Sequence, residues 1–201
     1  MCGRYTIGDE NVSENLQKII ESAQNESKGG ADLTLRAGGD VYPTDVVPAI
    51  CGAGGNPHAV KMRWGFRTER GLVINARAET ALEWLLFRES AQERRCLLPS
   101  TGYYEWNGNK ERFLFHRPDR SVLYMAGLYR IGADGMDEFV ILTREADEKA
   151  RVIHARMPLI VSSVYDWLFD RRAAEQILGA DGQVHLEIER QSPQQLSLFD
   201  E

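Results

Sequence analysis

The chain has 201 residues, 43% of them hydrophobic, which suffices for one well-buried domain and gives no reason to look for a second. Its formal net charge of −6 excludes a protein that coats nucleic acid nonspecifically, since such binding is carried by an excess of Lys and Arg, so any nucleic-acid contact must come from a local basic groove. Cys2, Cys51 and Cys96 have neither CxxC nor Cys/His zinc spacing and point to a reducing cytosolic compartment, no apolar run approaches the roughly 18 to 20 residues of a membrane span, and no leader precedes Met1-Cys2-Gly3-Arg4, which reads as the true start.

In chain order, Val12, Leu16, Ile19 and Ile20 fall on one face at helical spacing, with Asp9 or Asn11 placed to cap the helix start. Asn25 to Asp40 is rich in Gly, Ser and Asn and reads as an exposed loop, followed by the strand-like Val41-Tyr42-Pro43. Leu72 to Ala78 reads as strand or loop, and Thr80-Ala81-Leu82-Glu83 has the form of a capping box that predicts a helix from about Ala81 to Glu93. Tyr103-Tyr104-Glu105-Trp106 and Arg112-Phe113-Leu114-Phe115 flank Asn107-Gly108, a pair suited to a tight hairpin turn, which puts Glu105 on a strand. Val122 to Tyr129 and Phe139 to Thr143 continue an antiparallel meander, with a turn at Gly132 to Gly135. Helices are predicted over Ala146 to Ile153 and about Asp166 to Leu178. Strands and helices are segregated, so the fold class is α+β, a single compact domain over 1–190 of curved, mostly antiparallel sheet, with a polar tail over 191–201 that frays.

Cys2 holds the most chemical information. Removal of Met1 would leave a 1,2-aminothiol, and its α-amine, with a pKa near 7.7 to 8.0, is neutral for roughly a tenth of molecules at pH 7. Such an amine condenses with an aldehyde to an imine, and the thiol closes on the imine carbon to give a thiazolidine. Most single cysteines are simply small buried residues, and position alone favours that reading for Cys2. Glu105 lies among Tyr103, Tyr104 and Trp106, surroundings that desolvate a carboxyl and suit a general acid, although an outward-facing Glu on a half-exposed strand is equally compatible. His154, before Met157-Pro158, is a proton shuttle if it converges with Glu105 on Cys2, and a helix-end surface group otherwise. Asn75 and Arg77 alternate on one strand face, an amide to orient the nucleophile and a guanidinium for phosphate, and Arg63-Trp64 sets a cation beside an aromatic that could stack a base.

Taken in order, Met1 to Tyr5, Pro43-Thr44, Met62 to Gly65, Asn75 to Thr80, Phe87-Arg88, Arg94 to Pro99, Gly102 to Trp106, Ile141 to Thr143 and His154 to Pro158 resemble the SRAP family, the SOS response-associated peptidases that shield abasic sites in single-stranded DNA. The resemblance implies Cys2 as nucleophile, Glu105 as acid/base, His154 as a second proton-transfer group and Asn75 as an orienting amide. It implies DNA contacts by Arg4, Arg77 and Thr143, with Pro43 and Trp64 near the groove; Arg63 and Trp106 complete the expected DNA-binding set. The implied activity is a covalent thiazolidine cross-link to the ring-opened sugar, with autopeptidase and weak lyase activity beside it. No cofactor and no metal are implied. The expected partner is single-stranded DNA containing abasic sites, with replication-fork proteins as further candidates, and the expected form is a cytoplasmic monomer without membrane contact. Two departures stand out: Phe66-Arg67 lacks the proline usual after Trp64-Gly65, and Ala155 follows His154 where Asp is frequent. The rival readings are an N-terminal-nucleophile amidase, which needs an oxyanion hole and a closed pocket, and a DNA-binding module without catalysis.

Overall fold

The computed structural model describes residues 2–8, 14–25, 32–34, 39–179 and 184–191. Met1, the expected helix cap at Asp9 or Asn11, Val12, positions 26–31 and 35–38 of the polar stretch, and the tail past Gln191 lie outside the described residues.

Gly54 and Gly55 take φ of 57° and 80°, the two left-handed residues that a two-residue type I′ turn requires, and they reverse the chain between β3 (Val46–Ala53) and β4 (Asn56–Trp64). This hairpin pairs from Val46 opposite Arg63 to Ala53 opposite Asn56. It is absent from the sequence-based expectation, although a Gly-Gly pair between two β-prone runs is a hairpin signal. β3 pairs antiparallel with β8 (Arg95–Ser100), β8 with β11 (Leu123–Ile131), and β11 with β12 (Asp137–Glu145). β12 then runs parallel to β4, with Glu138 opposite Arg63 and Phe139 opposite Trp64, so these five strands form a closed ring of ladders. The meander expected from Val122 to Thr143 therefore holds for the β11–β12 hairpin, while the second edge of β12 is taken by parallel partners. Beyond β4, that edge carries β7 (Asn75–Arg77), and β13 (Arg156–Pro158) pairs with the opposite edge at Thr143 to Glu145. One strand thus brings the Asn75 and His154 regions together.

A second, wholly antiparallel sheet has the order β14 (Glu187–Gln191), β10 (Arg112–His116), β9 (Gly102–Trp106), β1 (Tyr5–Thr6), β2 (Asp40–Val41). Its inner row, Val41, Tyr5, Tyr103 and Phe115, is buried, and Tyr103 stacks on Phe115 at 4.8 Å. Trp64 joins the two sheets: its ring lies 5.3 Å from Tyr5 and stacks at 6.2 Å on Phe139. The short strands β5 (Phe66–Thr68) and β6 (Gly71–Val73) make a small separate hairpin.

The first helix, α1 (Glu14–Gln24), buries Leu16 and Ala23. The expected capping box at Thr80 does not form. The Thr80 carbonyl instead accepts both the Glu83 and Trp84 N–H groups, Ala78 and Ala81 are buried around the turn, and α2 (Leu85–Glu93) starts four residues later than expected with no side-chain cap. The Asn107-Gly108 hairpin exists, but its left-handed residue is Lys110 (φ 62°), not Asn107 or Gly108. Asn107 pairs with Glu111 and its carbonyl accepts the Lys110 N–H, which closes a three-residue loop with its left-handed residue last. The predicted helix over 146–153 shrinks to α3 (Glu148–Arg151), capped by Asp147. The one over 166–178 divides at Asp170 into α4 (Val164–Phe169) and α5 (Arg171–Gly179), because Asp170 is extended and its carboxylate accepts the Ala173 N–H as a new cap. Among the described residues no helix is long and apolar enough to cross a membrane.

Candidate functional site

β7 delivers Asn75 between a buried Ala76 and a chain held from behind, since the Trp64 indole N–H donates to the Ile74 carbonyl at 3.0 Å. From there the Asn75 side-chain N–H donates to the Cys2 carbonyl at 2.9 Å, bridging 73 positions of sequence. Asn75 Oδ1 is buried with no hydrogen-bond partner among the described residues, an acceptor left for a donor at this point. Cys2 is fully buried, and its thiol lies 3.8 Å from the Arg4 carbonyl. Burial pushes the thiol pKa up, and the charge of Glu105 adds to the effect, so the sulfur remains protonated at neutral pH.

Glu105 points inward from β9 and is 3% exposed. Burial raises its carboxyl above the usual range, with the neighbouring His154 pulling the other way. The tight turn after α3, in which the His154 N–H donates to the Ala150 carbonyl, sets the imidazole with Nδ1 3.9 Å from Glu105 Oε2. The same Nδ1 lies 3.1 Å from the Arg156 N–H and 3.0 Å from the Arg156 carbonyl. One nitrogen cannot accept from the first and donate to the second in one state. It accepts when the neutral ring holds its proton on Nε2, and donates once Nδ1 is protonated, so the backbone accommodates both states of a proton carrier. Arg156 is itself fixed by two bonds to Glu79, at 2.7 and 2.8 Å, and by a 2.6 Å bond to the Thr143 carbonyl. Cys2, Asn75, Glu105 and His154 are therefore one cluster. Arg77, on the exposed face of β7, has no carboxylate partner among the described residues.

The outer row of the small sheet forms a different surface. Arg4 pairs with the Asp40 carboxylate, and its guanidinium lies 4.8 Å from the Tyr42 ring centroid and 5.1 Å from that of Tyr104. Arg112 sits 5.2 Å from the other reach of Tyr104 and opposite Trp106, whose ring is 6.5 Å from Tyr104. Pro43 lies half-buried at the rim, in the turn where the Asp45 N–H donates to the Tyr42 carbonyl. Asp40, Tyr42, Tyr104 and Arg112 have no place in the sequence-based site. The alternation Tyr104, Trp106 across a hairpin from Arg112 was the available signal.

Three expected DNA contacts are placed elsewhere. Trp64 is fully buried with its indole N–H spent on Ile74, so it cannot stack a base and acts as a core strut instead. Arg63 is 13% exposed and held by Asp134 at 2.7 Å, with Glu138 at 3.9 Å, so its charge is neutralised outside the Cys2 cluster. Thr143 is 1% exposed; its hydroxyl donates to the Ala76 carbonyl at 3.3 Å, which makes it a sheet residue without access to a phosphate. No group of three or more His, Cys, Asp or Glu that could hold a metal ion occurs among the described residues.

Comparison with known proteins agrees with this architecture. The chain is 28% identical over 195 residues to the abasic site processing protein YoaM of Bacillus subtilis, covering 89% of this chain and 83% of YoaM. It is 30% identical over 179 residues to the abasic site processing protein YedK of Escherichia coli, covering 84% and 79% respectively. Among solved structures, a protein of Bordetella bronchiseptica superposes with a TM-score of 0.72 at 22% identity, over 96% of this chain and all of its own, and one of Bacteroides thetaiotaomicron with a TM-score of 0.70 at 21% identity, over 94% and 91%. The family profile described as SOS response associated peptidase (SRAP) matches residues 1–188. With nearly all of the described fold inside that match, the chain belongs to the SRAP family.

Proposed function

We propose that the chain binds single-stranded DNA and captures the ring-opened sugar of an abasic site on Cys2. The observation that carries this reading is the 2.9 Å bond from Asn75 to the Cys2 carbonyl beside a buried Glu105 and its His154 neighbour. The names of the relatives suggest the substrate.

Once Met1 is removed, the Cys2 α-amine adds to the C1′ aldehyde, and the resulting carbinolamine loses water as protonated Glu105 gives its proton to the departing hydroxyl. Burial raises the Glu105 carboxyl above its usual range and so favours the protonated form that this step uses. The iminium is then attacked by the Cys2 sulfur while the thiol proton passes to the Glu105 carboxylate. The ring closes to a thiazolidine, one water has left, and Glu105 is again protonated. An imine alone promotes β-elimination and strand cleavage, and ring closure removes that electron sink. His154 exchanges protons with the solvent side, and Asn75 Oδ1 suits an N–H of the reacting amine. Tyr104 and Trp106 offer base-stacking faces, with Arg4, Arg112 and Arg77 for phosphates. Asp40 occupies Arg4 in the free protein, where a phosphate would compete with it.

The test is incubation with a single-stranded oligonucleotide bearing one uracil-excised site. A heat-stable adduct is expected on a denaturing gel. Cys2→Ala, which keeps an α-amine after Met1 removal, should form none and should cleave the strand more. No adduct with the intact protein, or an equal adduct with Cys2→Ala, overturns the reading.

A further inference from the structure

Tyr103 and Glu105 stand two positions apart on β9, so their side chains share the inner face of the small sheet. Tyr103 is fully buried, its ring stacked against Phe115, and its hydroxyl has no hydrogen-bond partner among the described residues. A phenylalanine would fill the same space and strand no polar group, so the hydroxyl costs stability that the core does not recover. A donor sealed from solvent and unspent is available to a neighbour whose charge changes.

That neighbour is the Cys2 sulfur. The thiol donates to the Arg4 carbonyl at 3.8 Å, and the same carbonyl accepts the Tyr104 N–H at 2.9 Å, so the sulfur is tied to the stretch of β9 between Tyr103 and Glu105. Burial pushes the Tyr103 phenol pKa up, and the charges of Cys2 and then Glu105 add to the effect, so the hydroxyl stays a donor across the neutral range. Tyr5, directly opposite Tyr103, also buries a hydroxyl without a partner among the described residues, but after Cys2 the charges that bear on it are those of Asp45 and Cys96, not that of Glu105.

The Arg4 carbonyl suits a thiol, which has a proton to donate, and repels a sulfur that has lost it. We infer that the Tyr103 hydroxyl takes over at that moment, donating a hydrogen bond to the Cys2 sulfur as it gives its proton to Glu105 and closes on the iminium carbon. The inference rests on the proposed capture of the sugar by Cys2 and concerns its second step. The S–H bond breaks and its proton goes to the Glu105 carboxylate, the S–C bond forms, and the iminium π pair returns to nitrogen. Tyr103 keeps its own proton throughout, and imine formation makes no use of it.

The experiment compares Tyr103→Phe with the unsubstituted protein on the uracil-excised single-stranded oligonucleotide, once intact mass has verified that Met1 is removed from both. Heat-stable adduct and cleaved strand are scored on the same denaturing gel, and the urea midpoint is measured separately. Tyr103→Phe is expected to keep or raise the urea midpoint and to form adduct about tenfold or more slowly, the worth of one hydrogen bond to a charged group. It should also cleave more strand, because the imine persists for longer. An adduct rate within about twofold of the unsubstituted protein overturns the inference, and a lowered urea midpoint beside that rate leaves Tyr103 as a structural residue. A joint loss of adduct and cleavage overturns it too, since the hydroxyl then acts before ring closure. If the unsubstituted protein itself forms no adduct, the DNA reading fails and takes this inference with it, whereas a normal adduct that Tyr103→Phe leaves unchanged sinks this inference alone.

Discussion

Replacing Asn75 by Ala removes the one side-chain bond that holds the Cys2 carbonyl among the described residues. Because Cys2 is fully buried, that carbonyl is then left without water or a side-chain partner among the described residues, and an unpaired buried group of this kind costs about 1–3 kcal/mol. If the bond serves to aim the nucleophile, the loss falls on the barrier, and at about 1.36 kcal/mol per factor of ten it slows adduct formation by roughly 5- to 150-fold. Asn75→Asp keeps the size but turns the donor into an acceptor facing a carbonyl oxygen, so it should be slower than Asn75→Ala. The measurement is the single-turnover rate of adduct formation on an abasic oligonucleotide, normalised to the folded fraction from urea unfolding. A rate within twofold of the unsubstituted protein in Asn75→Ala, with the whole cost in unfolding stability, would refute the orienting role and leave Asn75 as a structural tie.

Glu105 makes a signed pH prediction. Its carboxyl is raised from 4.5 by burial, so the folded state keeps a proton that the unfolded chain releases; the stability this contributes is complete below about pH 4.5 and is lost as pH climbs through the raised value. Glu105→Gln should therefore gain on the unsubstituted protein in urea midpoint between pH 4.5 and 8, and a difference flat across that range contradicts the assignment. Its adduct rate should be low at every pH, whereas the unsubstituted protein declines on the alkaline side. The two tryptophans should separate cleanly. Trp64→Phe removes one of two donors to the Ile74 carbonyl, which keeps the Ile141 N–H, and costs about 0.5–1.5 kcal/mol of stability for that bond with DNA affinity unchanged, while Trp106→Ala leaves stability nearly intact and weakens single-strand binding by about 1–3 kcal/mol per base stacked. Fluorescence anisotropy with an undamaged oligonucleotide decides between them, and a larger affinity loss in Trp64→Phe would show that the aromatic face is misplaced.

Local chemistry made much of the fold readable. The hairpins at 102–116 and 123–145 follow from β-prone runs separated by turn residues, and the Gly54-Gly55 turn carried the same signal unheeded. Helix starts are less legible. Thr80 has the side chain of a cap, but the burial of Ala78 and Ala81 held the chain in a turn, and Asp170 acted as a cap in the middle of a continuous apolar pattern. In both places packing or a competing side-chain bond outweighed a preference worth about 1 kcal/mol.

By itself the amino-acid order determined which chemistry is present: an aminothiol latent at Cys2, and the motifs that single out Asn75, Glu105 and His154. Only the tertiary structure decided which side chains can meet a ligand. Trp64 and Trp106 are indistinguishable as aromatic residues on strands, yet one is enclosed by Tyr5 and Phe139 and the other lies half-open beside Tyr104. Arg63 and Arg4 are each paired with a carboxylate, but Arg63 is held by Asp134 with Glu138 near, whereas Arg4 with Asp40 lies against the Tyr42 and Tyr104 rings. Exposure and pairing depend largely on groups that arrive from distant parts of the chain, 71 positions for Asp134 on Arg63 and 73 for Asn75 on Cys2, and no local pattern encodes them.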